Sequence, residues 1–429
     1  MRSSGGREAR ASAGWNALMA SARLPPLATK VARDDAMVRA PLARSPVVRQ
    51  TAAAAAAAGR RRQWRRRRRR AGESMGSADE REQVETVDAA SNESGTMLVM
   101  AYVVLLVALV SVSSAGAVLR KINISPLAKA SSRMQMTAAL QLPGFAWQLW
   151  AGRRAGWMSK LGSRWLAWRI GASGVALAAH FGLWIMSLDK TSLTHSLLLV
   201  TTHSIVMVSG MWALKLARIR PDLAISWGES LGTVVGFAGL AIVSLDISAD
   251  AEVTLLGDVY AFLGGVAMIV YLVVGFAVRQ QLPLFVYVFP VTALAAVVLS
   301  LAAAVAEYDT VSSAGGWGLF AWTWTSPDVW YVIYVGVVPG IMGHTFINWV
   351  LRHLPSLVVS VTLMTEPLVG TLIGLVVGES SVPGLWTFVG GPILLAGSVW
   401  TTMSSHRRQR KVKGKIVDAP LEAGSASEP

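Results

Sequence analysis

The sequence predicts an all-α integral membrane protein of ten transmembrane helices. Three observations predict it: ten apolar stretches between Met97 and Met403, a charge alternation in the segments that join them, and tryptophans near their ends. A helix needs about 20 apolar residues to cross roughly 30 Å of hydrocarbon, and in lipid it satisfies its own backbone groups. The spans are read at 97–119, 133–150, 168–188, 192–214, 224–245, 253–278, 282–306, 329–351, 356–378 and 385–403. The second, with Gln135, Gln141 and Pro143 inside it, is the weakest.

Lys and Arg are retained on the cytoplasmic side during insertion. With the N-terminus inside, the cytoplasmic segments hold sixteen of them, including Arg153, Lys160, Lys215, Arg279, Arg352 and six between Arg407 and Lys415. The opposite segments hold five, Arg120, Lys121, Lys129, Arg133 and Lys190, and later carry acids such as Asp246, Glu252, Glu307 and Asp328. Both ends therefore lie inside, and the number of spans is even. Trp147, Trp150, Trp330, Trp386 and Trp400 fall near span ends, where an amphipathic ring suits the headgroup layer.

The formal charge of +15 belongs to the leader alone. Residues 1–70 hold 18 Lys and Arg against Glu8, Asp34 and Asp35, so the rest of the chain sums to zero. This places the basicity away from any nucleic-acid surface. The leader, 1–72, combines Ala52 to Ala58 with Arg60 to Arg62 and Arg65 to Arg70, and lacks an apolar periodicity that could support a core, so disorder is expected. Its composition fits an organelle transit peptide, a solvated arm drawn to an anionic leaflet, or a translated stretch upstream of the true start. An acidic linker, 73–96, follows, and a basic tail, 404–429, ends the chain. Plasma membrane, endomembrane and plastid envelope are all compatible with this pattern.

With no cysteine, disulfides, thiolate metal sites and cysteine nucleophiles are excluded. No enzyme chemistry is expected, because paired aspartates, a Ser/His pair and a metal-spaced His cluster are all lacking. His180, His195, His203, His344 and His353 lie in or near spans, yet none pairs with another at the three- or four-residue spacing of a helical ligand pair. No Gly-x-x-x-x-Gly-Lys-Ser/Thr loop occurs, and neither cofactor nor metal is expected.

Internal duplication is expected within the membrane region. Residues 192–210 set against 356–374 share Ser192/Ser356, Leu193/Leu357, Ser196/Ser360, Leu199/Leu363, Thr201/Thr365 and Gly210/Gly374. Gly228-Glu229-Ser230 echoes Gly378-Glu379-Ser380. Halves of five spans, 97–246 and 253–403, enter the membrane from opposite sides, which makes two inverted five-helix repeats with a midplane site between them.

Span nine holds the sharpest chemical feature. Glu366 falls near its middle, where a carboxylate costs several kcal/mol on roughly any scale and must face the bundle interior. Pro367 lacks an N–H, so the carbonyl of Leu363 loses its helical partner and a break is expected. A carboxyl group and a free carbonyl at one level could take a substrate hydroxyl, amine or cation, or serve proton coupling; the alternative is a packing role for Glu366. In span eight, Gly340, His344 and Asn348 recur every four residues on one face, beside Pro339 and Gly343. Helix contact or a substrate path would use that face. In span three, Ala176, His180 and Trp184 form a similar line, and Trp184 stacks on a planar ligand or simply packs. Thr201, Thr202 and His203 sit mid-span in the fourth helix, where hydroxyls donate to substrate or to their own backbone. Glu229, Asp258 and Glu379 read as capping or topology residues. The series Gly232, Gly236, Gly239 and Gly390, Gly391, Gly397 suits close helix approach, or a homodimer contact.

The stretch His180 to Leu188, followed by Thr191-Ser192 and Leu199 to Ser204, resembles the EamA family of the drug/metabolite transporter superfamily. So do Gly257-Asp258, Gly343-His344 with Asn348-Trp349, Leu354-Pro355, Glu366-Pro367, Gly378-Glu379, Gly390 and Gly397. The resemblance covers 97–403. It implies ten helices in two inverted repeats, alternating access for a small metabolite, and a path through His180, Trp184, Thr201, Thr202, His203, Pro339, Gly340, His344, Asn348, Glu366 and Pro367. The chain departs from the family pattern where Thr202-His203 stands opposite Glu366-Pro367. A membrane scaffold or sensor that keeps the fold without transport is the alternative. The partners expected are a small molecule and the lipid bilayer.

Overall fold

The computed structural model describes residues 78–153, 156–221, 223–245, 254–313, 328–378 and 384–418, with side chains within 95–411. The leader and the residues Asp246, Asp250, Glu252 and Glu379 lie outside the described residues.

Every regular element among the described residues is helical. Helix α1 (Ala78–Ser113) takes in the described part of the acidic linker and breaks before α2 (Ala115–Arg120). At the break the Ser114 hydroxyl donates to the Ser111 carbonyl, 2.7 Å. Helix α3 (Pro126–Ala151) starts at a Ser125-Pro126 pair, which suits an N-terminus because the missing proline N–H needs no partner there. Its first amides, Leu127 N at 2.8 Å and Ala128 N at 2.9 Å, donate to the Glu307 carboxylate.

After a single 3₁₀ turn (Met158–Lys160) come α4 (Arg164–Leu188), α5 (Leu193–Thr201) and α6 (His203–Leu216). Helix α7 (Trp227–Val243) opens with a capping box between Ser226 and Glu229, and α8 (Leu255–Arg279) with Thr254 as its cap. Helices α9 (Leu284–Ala306), α10 (Tyr308–Ser313) and α11 (Val329–Val335) lead into a π-helical stretch, Gly336–Thr345, and then α12 (Phe346–Val350). The chain ends in α13 (Ser356–Leu363), α14 (Glu366–Val377) and α15 (Leu385–Asp418).

Seven helical runs are long and apolar enough to cross a membrane: Gly95–Arg120, Arg164–Leu188, His195–Leu216, Leu255–Arg279, Leu284–Ala306, Val329–Val350 and Ser356–Val377. The remaining three expected spans are helical but fall short as crossings for separate reasons. Helix α3 carries Lys129, Arg133, Gln135 and Gln141. Helix α7 has 17 residues, and the apolar half of α15 is diluted by Thr387, Pro392, Ser398, Thr401 and Thr402. Large apolar side chains such as Leu106, Val110, Leu301, Val305 and Phe388 are exposed on the outside of the helices. Such a surface is stable in lipid rather than in water. The chain is thus an all-α, multi-pass membrane protein.

One part of the charge count changes. Lys129 and Arg133, read as residues of an outer segment, belong to α3, which begins seven residues before the expected start of span two, and both are buried. Lys129 Nζ lies 3.6 Å from Asp189.

Helices α4, α8 and α9 form the centre of the packing, with α3 against α9 and α1 against the π-helical stretch. Helices α7 and α15 lie on each other along their glycines. A Cβ on Gly397 would stand 2.2 Å from the Gly236 nitrogen, and one on Gly239 would stand 2.3 Å from the Leu394 nitrogen. Gly232, Gly236 and Gly239 therefore face Gly390 and Gly397 within one chain, while Gly391 turns toward Leu368, and small residues let these backbones approach where lipid supplies no hydrophobic drive for association.

Candidate functional site

A cavity lies among these helices. Into it reach Arg133 from α3, His180, Phe181 and Trp184 from α4, Thr201 from α5, His203 at the start of α6, His344 from the π-helical stretch and Glu366 at the start of α14. Val112, Ala115, Val200, Met268, Ile347 and Leu363 complete the wall. The volume in which the centre of a water molecule can sit is about 30 Å³, room for roughly two waters.

Two helix breaks bring backbone and side chains to this level. Residues Met364 and Thr365 form a turn between α13 and α14, and Pro367 lies in the first turn of α14, so the break expected at Glu366-Pro367 is present. A second break falls at Thr202, between α5 and α6, although no proline or glycine marks it. Here the Thr202 hydroxyl donates to the Leu199 carbonyl, 2.6 Å, and Thr201 donates to the Leu197 carbonyl, 2.7 Å. Side-chain hydroxyls that compete for backbone carbonyls bend helices. Both threonine hydroxyls are thereby engaged with their own helix.

The π-helical stretch has its own cause. Pro339 removes the donor that would bond the Val335 carbonyl, and the turn widens, with the Thr345 hydroxyl donating to the Gly340 carbonyl five residues back, 3.1 Å. Gly340 is needed because Thr137 packs against it; a Cβ there would stand 2.3 Å from Thr137 Oγ1.

The imidazoles are held by specific contacts. His180 Nδ1 donates to the Gly264 carbonyl at 3.0 Å, and His203 Nδ1 to the Val200 carbonyl at 3.1 Å, which leaves Nε2 of each ring as an acceptor. His203 Nε2, His344 Nδ1 and Trp184 Nε1 have no hydrogen-bond partner. His344 meets Phe181 edge-on, with ring centroids 4.8 Å apart, and lies 6.1 Å from both His180 and Tyr271. His180 and Trp184 lie nearly parallel, 6.3 Å apart.

Charge in the cavity comes from Arg133 and Glu366. Arg133 is 1% exposed, and its Nε and Nη1 lack hydrogen-bond partners. Its guanidinium carbon stands 4.1 Å above the Phe181 ring centre and 5.9 Å from that of Trp184. Its charge is felt at Glu366, Tyr271, His180 and His344. Glu366 is half-buried and faces the cavity, and its carboxylate makes no hydrogen bond or ion pair with the described residues.

Of the eleven residues expected on a path, His180, Trp184, Thr201, His203, His344 and Glu366 meet in this cavity. Gly340 and Asn348 line a smaller neighbouring space, about 10 Å³, with Thr137, Gln141 and Tyr271, and the two spaces share Phe181 and His344. Asn348 is fully buried and donates to the Tyr271 hydroxyl and to the His344 carbonyl. Thr202, Pro339 and Pro367 line neither space and act on the backbone. Arg133 and Phe181 are the residues the sequence reading left out of the site. The signal for Arg133 was present in Ser125-Pro126: a helix that starts there carries Arg133 two turns inward.

Comparison with known proteins leaves the family open. No family profile matches the chain, and no curated protein matches it. Among solved structures, one described only as "Crystal structure of protein" is similar over 72% of this chain and 98% of its own length, with a TM-score of 0.53 and 17% sequence identity. That likeness speaks to the fold alone.

Proposed function

We propose that this protein is a transmembrane transporter of a small metabolite that works by alternating access, facilitated or driven by an ion gradient. The observation that carries the reading is the cavity shared by His180, Trp184, Thr201, His203, His344 and Glu366, since intramembrane ionisable groups mark substrate and ion paths. A non-transporting scaffold has no need to hold an unpaired carboxylate against an internal space. The resemblance to the EamA family adds ten helices in two inverted five-helix repeats, counting α3, α7 and α15 as crossings. Breaks at Thr202 and at Met364–Thr365, which fall within two residues of each other when 192–210 is set on 356–374, support that symmetry. The positive-inside count supports cytoplasmic termini.

Space for about two waters fits a conformation closed around the site, which opens to either side to admit substrate. The test is flux: the full chain in liposomes, presented with a pool of small metabolites whose uptake is read by mass spectrometry. At least one compound should enter, and Glu366→Gln should slow its entry tenfold or more while the protein stays folded. If no compound enters with the wild-type chain, the scaffold or sensor reading replaces this one.

A further inference from the structure

Arg133 is the one group in the cavity whose charge does not depend on pH, and it is poorly matched by the protein. A guanidinium is a planar fork of five donors that cannot shed its proton in a protein. Here it is 1% exposed, two of its three nitrogens have no hydrogen-bond partner, and no carboxylate stands within ion-pair distance of it among the described residues. Leaving a buried charge without hydrogen bonds is among the costliest arrangements a helix bundle can hold. Phe181 stands 4.1 Å beneath the guanidinium carbon and fixes the fork without using any of its donors, because a cation on a ring face needs no N–H contact. The fork is thus held beside a space lined also by Trp184, His203, His344 and Glu366, with Nε and Nη1 covered in this conformation and no hydrogen bond to give up when the space widens around a ligand.

We propose that Arg133 is the specificity-determining residue of this cavity and that the transported compound is a small organic anion, its carboxylate or phosphate held by the guanidinium. This rests on the transport reading of the same cavity and adds the charge class of the substrate. Oxyanions match the fork bidentately, and charge-assisted bonds of this kind are about twice as strong as neutral ones. Met268, Ile347 and Leu363 offer an apolar wall to the rest of such a molecule. An amine or a neutral sugar would leave the Arg133 donors unmatched while still meeting their charge.

The experiment uses the purified full chain and sets of matched probes: short monocarboxylates, inorganic phosphate and phosphate monoesters, the corresponding amides, and the corresponding amines. Binding is read by calorimetry and entry into liposomes by mass spectrometry. The wild-type protein should bind an oxyanion probe at least tenfold tighter than its amide. The carboxylate and phosphate sets then tell which oxyanion fits. Arg133→Gln should lose at least tenfold in affinity for that probe, with partial rescue in Arg133→Lys. The wild-type preference decides the matter even where a variant fails to fold. If amides or amines bind and enter while oxyanions do neither, the anion assignment is overturned and the transport reading stands. If nothing binds and nothing enters, both are overturned.

Discussion

Arg408 in α15 donates two hydrogen bonds to the carboxylate of Glu229 in α7, at 2.9 and 2.8 Å, and that carboxylate is fully buried. Glu229 also accepts from the Ser226 amide at 2.8 Å, so one side chain caps α7 and ties it to the C-terminal helix. Removing one partner of a buried pair leaves a charge without compensation, which costs more than the pair is worth. Arg408→Ala should lower stability by about 2 kcal/mol, discounted for the 22% exposure of the Arg408 side chain. Glu229→Gln combined with Arg408→Ala should recover part of it. Thermal unfolding in detergent measures both, and a single variant as stable as wild type would sink the claim.

The glycine seam of α7 and α15 gives a graded prediction. A Cβ on Gly239 or Gly397 would stand 2.3 or 2.2 Å from backbone atoms, which cannot yield, whereas one on Gly391 would meet Leu368 at 3.5 Å, an ordinary contact. Gly239→Ala and Gly397→Ala should each cost about 1–3 kcal/mol through overpacking, and Gly391→Ala should change little. Equal effects at all three positions in the same unfolding assay would contradict the packing described.

Much of the fold was legible because membrane crossing imposes a strong pattern. The spans at 168–188, 282–306 and 329–351 match helical runs within a few residues, since nothing but length and apolarity sets them. The Glu366-Pro367 break was legible from the missing proline N–H. Less was visible where tertiary contacts overrode local sequence. The break at Thr202 depends on hydroxyl bonds that sequence offers only as an option, and the requirement for glycine at 340 appears only once Thr137 is seen seated against it. Arg133 was hidden for another reason: next to Lys129 near a span end, it reads as an interfacial charge until α3 is seen to begin at Pro126.

His344 should matter to flux more than to stability. Its ring is packed edge-on to Phe181, while Nδ1 has no hydrogen-bond partner, so its polar atoms contribute little to folding. His344→Phe keeps an aromatic ring there and should shift stability by less than about 1.5 kcal/mol. Transport should fall at least tenfold. The comparison needs unfolding temperature and liposome flux on one preparation; wild-type flux in this variant would assign His344 to packing.

Pro367 offers a test of the break itself. At the first turn of α14 it cannot donate to the Leu363 carbonyl, and Leu363 lines the cavity beside Glu366. Pro367→Ala supplies the missing N–H and allows α13 and α14 to join through Met364 and Thr365. Alanine is favoured over proline within a helix by about 3 kcal/mol, but much of that advantage is absent at a first turn, so stability should rise by about 1 kcal/mol at most. Flux should fall, because a continuous helix carries Glu366 around its axis and engages the carbonyl at its level. Hydrogen exchange at the amides of residues 364–369 should slow in the variant as the turn becomes helical. A variant with slowed exchange and wild-type flux would show that the break serves packing, and the carboxylate alone would then carry the site.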